Sequence, residues 1–150
     1  MKNILMLHGV NHNMYGHRNP KFYGTDTLED INAAMLKEAD EIGGLKIEFF
    51  QSNHEGDWVD KINEAYFKKT DAVLINPAAW SFYSLAIHDS LEILECPIIE
   101  IHMSNIAARE NLGPSITAPV ASGVITGMGT ICYTLALRAA SLLIDRNKAK

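Results

Sequence analysis

Apolar residues fall into five short runs separated by longer segments of helical spacing. Asn3–Leu7 (NILML), Lys46–Phe50 (KIEFF), Ala72–Ile75 (AVLI), Ile98–Ile101 (IIEI) and Gly123–Thr126 (GVIT) have the length and content of β-strands. Between the first two, Leu28, Ile31, Met35, Ala39 and Ile42 recur at helical intervals. Thr27 with Asp30 three residues on is a capping-box signal, and Gly43-Gly44 stops the helix. Three more helices are predicted over about 57–69, with Trp58, Ile62, Ala65 and Tyr66 on one face, about 84–94 and about 130–144. The last is apolar around most of its circumference, which predicts cover on more than one side and so points to an oligomer.

Strands alternating with helices imply a parallel sheet with helices on both faces. Five strands suggest an α/β three-layer sandwich with the flavodoxin-like strand order 2-1-3-4-5. The 150 residues fit a single domain spanning 1–150, with no repeats, low-complexity segments or linkers. Two stretches, Val10–Asp26 and Asn105–Ser122, are predicted to be irregular, and loops this long in so small a domain read as functional lids.

Composition narrows the function classes. A chain that is 47% hydrophobic and 21% charged is that of a globular protein, and its net charge of −5 argues against a nucleic-acid partner. A local basic pocket for an anionic metabolite stays compatible with that charge. Cys96 and Cys132 form no C-x-x-C pair and read as reduced core residues. The opening MKNILMLHGV lacks the long apolar region of a signal peptide, and no apolar run approaches the roughly 18 residues of a membrane span. The expected compartment is the cytoplasm.

Ligands of such sheets bind beyond the carboxyl ends of the strands. There the first strand runs into His8-Gly9-Val10-Asn11-His12-Asn13, the second into Gln51-Ser52-Asn53-His54-Glu55-Gly56 and the third into Asn76-Pro77. The fourth ends IEIHMSN, so Glu100, His102 and Ser104 alternate onto one face, and the fifth runs into Gly127 and Gly129. Four of the five deliver amides or imidazoles to one edge, which predicts a pocket. Glu100 is placed to hold the His102 ring and set its tautomer, the arrangement of a general acid or base. Asn53 and Glu55 read more simply as caps of the following helix, and Asn76 serves equally as a turn residue before proline. The first loop, YGHRNPKFYG, gathers cations and tyrosines. A tyrosine hydroxyl, with a pKa near 10, needs about 3–4 kcal/mol of preferential phenolate stabilisation to act as a base at neutrality. Arg18 is the natural source of that stabilisation.

Other occupants of the fold fit less well. A receiver domain needs acids where His8 and Asn76 stand, and a flavodoxin needs a Ser/Thr-rich phosphate loop after the first strand. Gly127 and Gly129 lack the third glycine of a dinucleotide fingerprint. His8, His12 and His17 have no carboxylate partner nearby with which to bind metal.

In register, these segments resemble the type II 3-dehydroquinate dehydratases (type II dehydroquinases). The resemblance rests on Gly9, Asn11 and Asn13, on Arg18-Asn19-Pro20 with Tyr23-Gly24, and on Gln51-Ser52-Asn53-His54-Glu55-Gly56. It continues through Asn76-Pro77, Glu100 to Asn105 with Arg109-Glu110, and Gly123-Val124-Ile125 through Gly127-Met128-Gly129 to Tyr133. It implies removal of water from a cyclic β-hydroxy ketone bearing a carboxylate, without cofactor or metal. By resemblance Tyr23 takes the proton beside the ketone, with Arg18 favouring its phenolate. Asn11 helps hold a water that stabilises the enolate. His102, oriented by Glu100, protonates the leaving hydroxyl. Asn76, Met103 and Ser104 bind substrate, the last two at its carboxylate, and Asp89 reaches a neighbouring subunit in an assembly of trimers packed into dodecamers.

The chain departs from the family pattern where ring hydroxyls are gripped. Phe82 stands in place of a histidine, Gly113 in place of an arginine, and His88 in place of the arginine before Asp89. His8 and Val10 replace asparagine and proline in the first turn. His12, His17 and Tyr83 are candidates for compensating contacts. Three readings follow: a dehydroquinase with such contacts, a paralogue acting on a differently hydroxylated keto acid, and a binding protein without turnover. A retained base and acid argue against the third.

Overall fold

The computed structural model describes residues 1–150. Strands β1 (Lys2–His8), β2 (Leu45–Gln51), β3 (Ala72–Asn76), β4 (Ile98–His102) and β5 (Gly123–Thr126) form one sheet in the order β2-β1-β3-β4-β5. Every pairing is parallel, with Leu7 opposite both Phe50 and Ile75, and Ile75 opposite Glu100. Five helices accompany them: α1 (Pro20–Tyr23), α2 (Leu28–Ile42), α3 (Glu55–Phe67), α4 (Leu85–Leu91) and α5 (Ile131–Lys148). No helix is long and apolar enough to cross a membrane.

Strand alternation divides the core in two. Ile4, Met6, Leu74, Ile99 and Ile101 pack against α2 and α5, with Met35, Tyr133 and Leu137 among their partners. Leu5, Leu7, Val73, Ile75 and Ile98 face the opposite way, onto Trp58 and Ile62 of α3 and Ile87 and Leu91 of α4. The same alternation fixes where polar strand ends point. His8 and Asn76 emerge on the α2–α5 side, bonded to Asn32 and Tyr133, whereas Glu100 and His102 emerge on the other.

Helix α2 starts with a complete capping box. Thr27 Oγ1 accepts from Asp30 N–H (3.2 Å), and Asp30 Oδ2 accepts from Thr27 N–H (3.0 Å). Helix α3 begins at Glu55, two residues before the predicted start, and α4 ends at Leu91, three short of the predicted end. α5 runs four residues past Ile144; it buries Tyr133, Ala136, Leu137, Ala140 and Ile144 while Ile131, Leu135 and Leu142 stay exposed. Cys132 is buried and Cys96 half-buried, both unpaired.

The two stretches predicted to be irregular contain local structure. Val10–Asp26 holds a 3₁₀ turn (His12–Met14) and α1, where Asn19 Oδ1 accepts from Lys21 N–H (3.0 Å) and Pro20 occupies the first helical position. Asn105–Ser122 holds 3₁₀ turns at Ile106–Ala108 and Ala118–Val120. The Asn-Pro pair starts a helix as readily as it makes a turn, and only packing decides which.

Candidate active site

Gly9 lets the β1 and β3 ends approach closely: a Cβ there would lie 2.6 Å from the Asn76 carbonyl oxygen and 2.7 Å from Pro77 C. The loop after β1 is then tied to β2. Asn53 Oδ1 accepts from Asn11 N–H (2.8 Å) and from Gln51 Nε2 (3.2 Å), and Gln51 Nε2 also donates to Gly9 O (3.1 Å). Asn53 therefore anchors the first loop rather than capping α3, whose cap position is His54 and bears no side-chain cap bond. Glu55 accepts from the Ser84 hydroxyl at the start of α4. Asn76 makes the turn, accepting from Ala78 N–H (3.3 Å), and also donates to the hydroxyls of Tyr133 (2.8 Å) and Tyr15 (3.4 Å).

These ties enclose a cavity of about 160 Å³ beyond the carboxyl ends of the strands. Arg18, Tyr23, His102, Ser104 and Arg109 line it with His12, Tyr15 and Asn76; Ala78, Ala79, Phe82, Met103, Ile106 and Leu112 supply an apolar remainder.

Tyr23 and the two arginines form one wall. The Arg18 guanidinium carbon stacks 3.8 Å from the centre of the Tyr23 ring, and Arg109 Nη1 donates to the Tyr23 hydroxyl at 3.3 Å. Arg109 also donates to Ser104 Oγ (3.3 Å) and lies 4.3 Å over the Phe22 ring. Arg18 thus meets the ring face, and the hydroxyl belongs to Arg109. The two other tyrosines nearby are held protonated. Burial pushes Tyr133 up to about 12 and Tyr15 well above its ordinary value. Tyr23 alone is half-buried, and it alone contacts two guanidinium groups.

The second wall is His102 over Glu100. His102 Nε2 lies 2.5 Å from Glu100 Oε1, which leaves Nδ1 as the free ring nitrogen. Glu100 is 0% exposed, and its oxygens also accept from Ser115 Oγ (2.6 Å) and Thr117 Oγ1 (2.8 Å). A buried carboxylate with three donors is fixed in place and holds the orientation of the imidazole in front of it. The other cavity histidine, His12, has no carboxylate behind it. Burial, then His8, Arg18 and His102, push its pKa well below the ordinary imidazole value, so it stays neutral.

Of the residues singled out in the sequence, Tyr23, Arg18, His102, Asn76, Met103, Ser104 and Phe82 line the cavity, and Glu100 sits directly behind it. Asn11 does not line it; this residue is exposed, in the left-handed region at φ 65°, with its N–H held by Asn53. Gly113 lines a neighbouring depression instead, next to Leu112. Asp89, its side chain 74% exposed on α4, pairs with His88 at 3.0 Å and does not reach this chain's own cavity. His17 and Tyr83 lie on the surface, outside the lining. Arg109 and Tyr15 also line the cavity, with no role assigned to them from the sequence. Arg109 stood in a quoted motif, and its position five residues beyond Ser104 was the only signal.

A chain of this geometry has close counterparts. A family model described as dehydroquinase class II matches residues 2–141. The chain is 48% identical to the 3-dehydroquinate dehydratase of Leptothrix cholodnii, covering 98% of this chain and 99% of that protein. It is 44% identical to the 3-dehydroquinate dehydratase of Caldicellulosiruptor bescii, covering 97% and 100%. Among solved structures it superimposes on the type II dehydroquinase from Butyrivibrio crossotus with a TM-score of 0.90, at 37% identity over 93% of this chain and 97% of the other. Match along nearly the whole length, in sequence and in fold, makes the chain a member of the dehydroquinase class II family.

Proposed function

We infer that this protein is a hydro-lyase that removes water from 3-dehydroquinate to give 3-dehydroshikimate through an enolate. One observation carries the chemistry: a tyrosine between two guanidinium groups and a carboxylate-backed histidine line the same small cavity.

In the proposed sequence Tyr23, as phenolate, takes the proton from the carbon beside the ketone. The C–H electron pair moves into the enolate, whose charge the cationic wall of the cavity stabilises. The enolate then collapses, its electrons form the carbon–carbon double bond, and the C–O bond of the hydroxyl breaks. His102 delivers the proton that turns the leaving hydroxide into water, and Glu100 stabilises the ring while it carries that proton. One proton is taken and one given, so the cycle closes when solvent restores both groups. Met103 and Ser104 hold the substrate carboxylate, and the two arginines of the wall favour an anion in a chain of net charge −5. Asn11 as holder of an enolate-polarising water requires its side chain to turn inward when the first loop closes on substrate.

Steady-state formation of dehydroshikimate tests the reading, together with its loss in Tyr23→Phe. A second reading, a dehydratase for a less hydroxylated keto acid, is favoured by Phe82 in the wall and Gly113 outside it. Proton exchange beside the ketone of such an acid, without turnover of dehydroquinate, would select it.

The functional unit we propose is a homo-oligomer, trimers packed into a dodecamer, with Asp89 reaching a neighbouring copy's cavity, working in the cytoplasm without metal or cofactor. The exposed Ile131, Leu135 and Leu142 of α5 support an assembly, since they leave apolar surface for a partner to cover.

A further inference from the structure

His12 is the cavity group that the proposed chemistry leaves idle. It is 1% exposed, and its Nδ1 accepts the Gly9 backbone N–H at 2.9 Å. A neutral imidazole carries one N–H, so an Nδ1 that accepts must be bare and the proton resides on Nε2. The ring cannot swing away: it stacks on Tyr15 with centroids 4.6 Å apart and meets His8 edge-on at 6.2 Å. Nε2 has no hydrogen-bond partner in the chain, yet the only buried nitrogen sealed off without one is His8 Nδ1. Nε2 of His12 therefore keeps its opening into the cavity that the ring lines. Burial and the neighbouring Arg18, His8 and His102 hold the ring neutral, which makes it a fixed single donor and a poor acid.

Much of the rest of the wall has no polar side chain to offer a hydroxylated ring. Ala78, Ala79, Phe82, Ile106 and Leu112 present carbon, and Phe82 leans on His102 with centroids 6.3 Å apart. We propose that His12 is a specificity-determining residue whose Nε2–H donates to a ring hydroxyl of the bound hydroxy acid. It supplies from the first loop a contact that Phe82 and Gly113 cannot make. This rests on reading the cavity as the site of a hydroxylated ring acid, but its test does not require turnover.

Two saturated cyclohexane carboxylates serve as probes, one bearing ring hydroxyls and one stripped of them. Neither has a ketone, so neither reacts. By calorimetry the protein binds the hydroxylated acid about tenfold or more tightly than the stripped one. His12→Leu removes that preference, weakening the hydroxylated acid about 10- to 100-fold while the stripped acid changes less than twofold. His12→Gln, with an N–H at similar reach, recovers most of the loss. In ¹⁵N-histidine spectra of the unaltered protein, the His12 Nε2–H proton moves downfield with the hydroxylated acid only. Equal binding of both acids to the unaltered protein overturns the proposal. So does an equal loss for both in His12→Leu, or a His12 resonance that ignores the hydroxyls. Failure of the dehydratase reading shows elsewhere, as absence of dehydroshikimate with hydroxyl-selective binding intact.

Discussion

At the scale of single residues, the site separates like groups by environment. Three tyrosines gather at the cavity. Burial keeps Tyr15 and Tyr133 protonated, and they share a hydrogen-bonded cluster with Asn76, while Tyr23 sits between Arg18 and Arg109. Tyr23→Phe keeps the shape and removes the base, so kcat should fall about 10²- to 10⁴-fold with the fold intact by circular dichroism. Arg109→Lys removes the planar donor fork from the tyrosine hydroxyl and from Ser104, and should lower kcat more than it raises KM. The buried His8 sets a limit on stability. Desolvation lowers its pKa from 6.5 to about 4, although the Asn32 bond opposes this. Below pH 6.5 the unfolded chain therefore takes up a proton that the folded chain refuses. Stability falls as pH drops from 6.5 to 4, by about 3 kcal/mol for this one group. Depression of His12 acts in the same direction. Urea unfolding across that interval should show the slope, and His8→Asn should flatten it.

At the scale of elements, the site depends on how strand ends and helix starts are joined. A methyl group at Gly9 would strike the backbone of Asn76 and Pro77 rather than a flexible side chain, so β1 and β3 would have to part. Gly9→Ala should cost about 1–3 kcal/mol in urea unfolding and reduce activity further by displacing Asn76. The α2 capping box offers a control remote from chemistry. Thr27→Ala should lose about 1 kcal/mol and leave kcat unchanged. Both strands at the crossing and the capping box were legible in the sequence. That Asn53 would hold the first loop, rather than cap α3, was not. An Asn after a strand has the same local preferences in both roles, and its partner, Asn11 N–H, lies 42 residues away.

At the scale of the whole molecule, the isolated chain leaves Ile131, Leu135 and Leu142 of α5 and Val124 of β5 in solvent. Asp89, its side chain 74% exposed, likewise lies outside the lining of this chain's own cavity. Sedimentation analysis should find a species many times the chain's 16.6 kDa mass, and a monomer would remove Asp89 from the site. Asp89→Ala should then impair turnover without changing the isolated subunit's fold.

The order and type of the main elements were set by the sequence itself, because hydrophobic period, capping residues and glycine stops act within a few residues of one another. Thus five apolar runs joined by helices point to a parallel sheet and suggest the order 2-1-3-4-5, which the structure shows, and strand alternation gives the Glu100–His102 pairing. The distribution of work inside the cavity came only with tertiary structure. Which arginine meets the Tyr23 hydroxyl, which histidine stays neutral, and whether Asn11 faces in are decided by desolvation and by partners distant along the chain. Arg109 and Tyr23 stand 86 residues apart, and no local pattern in the sequence records the 3.3 Å between them.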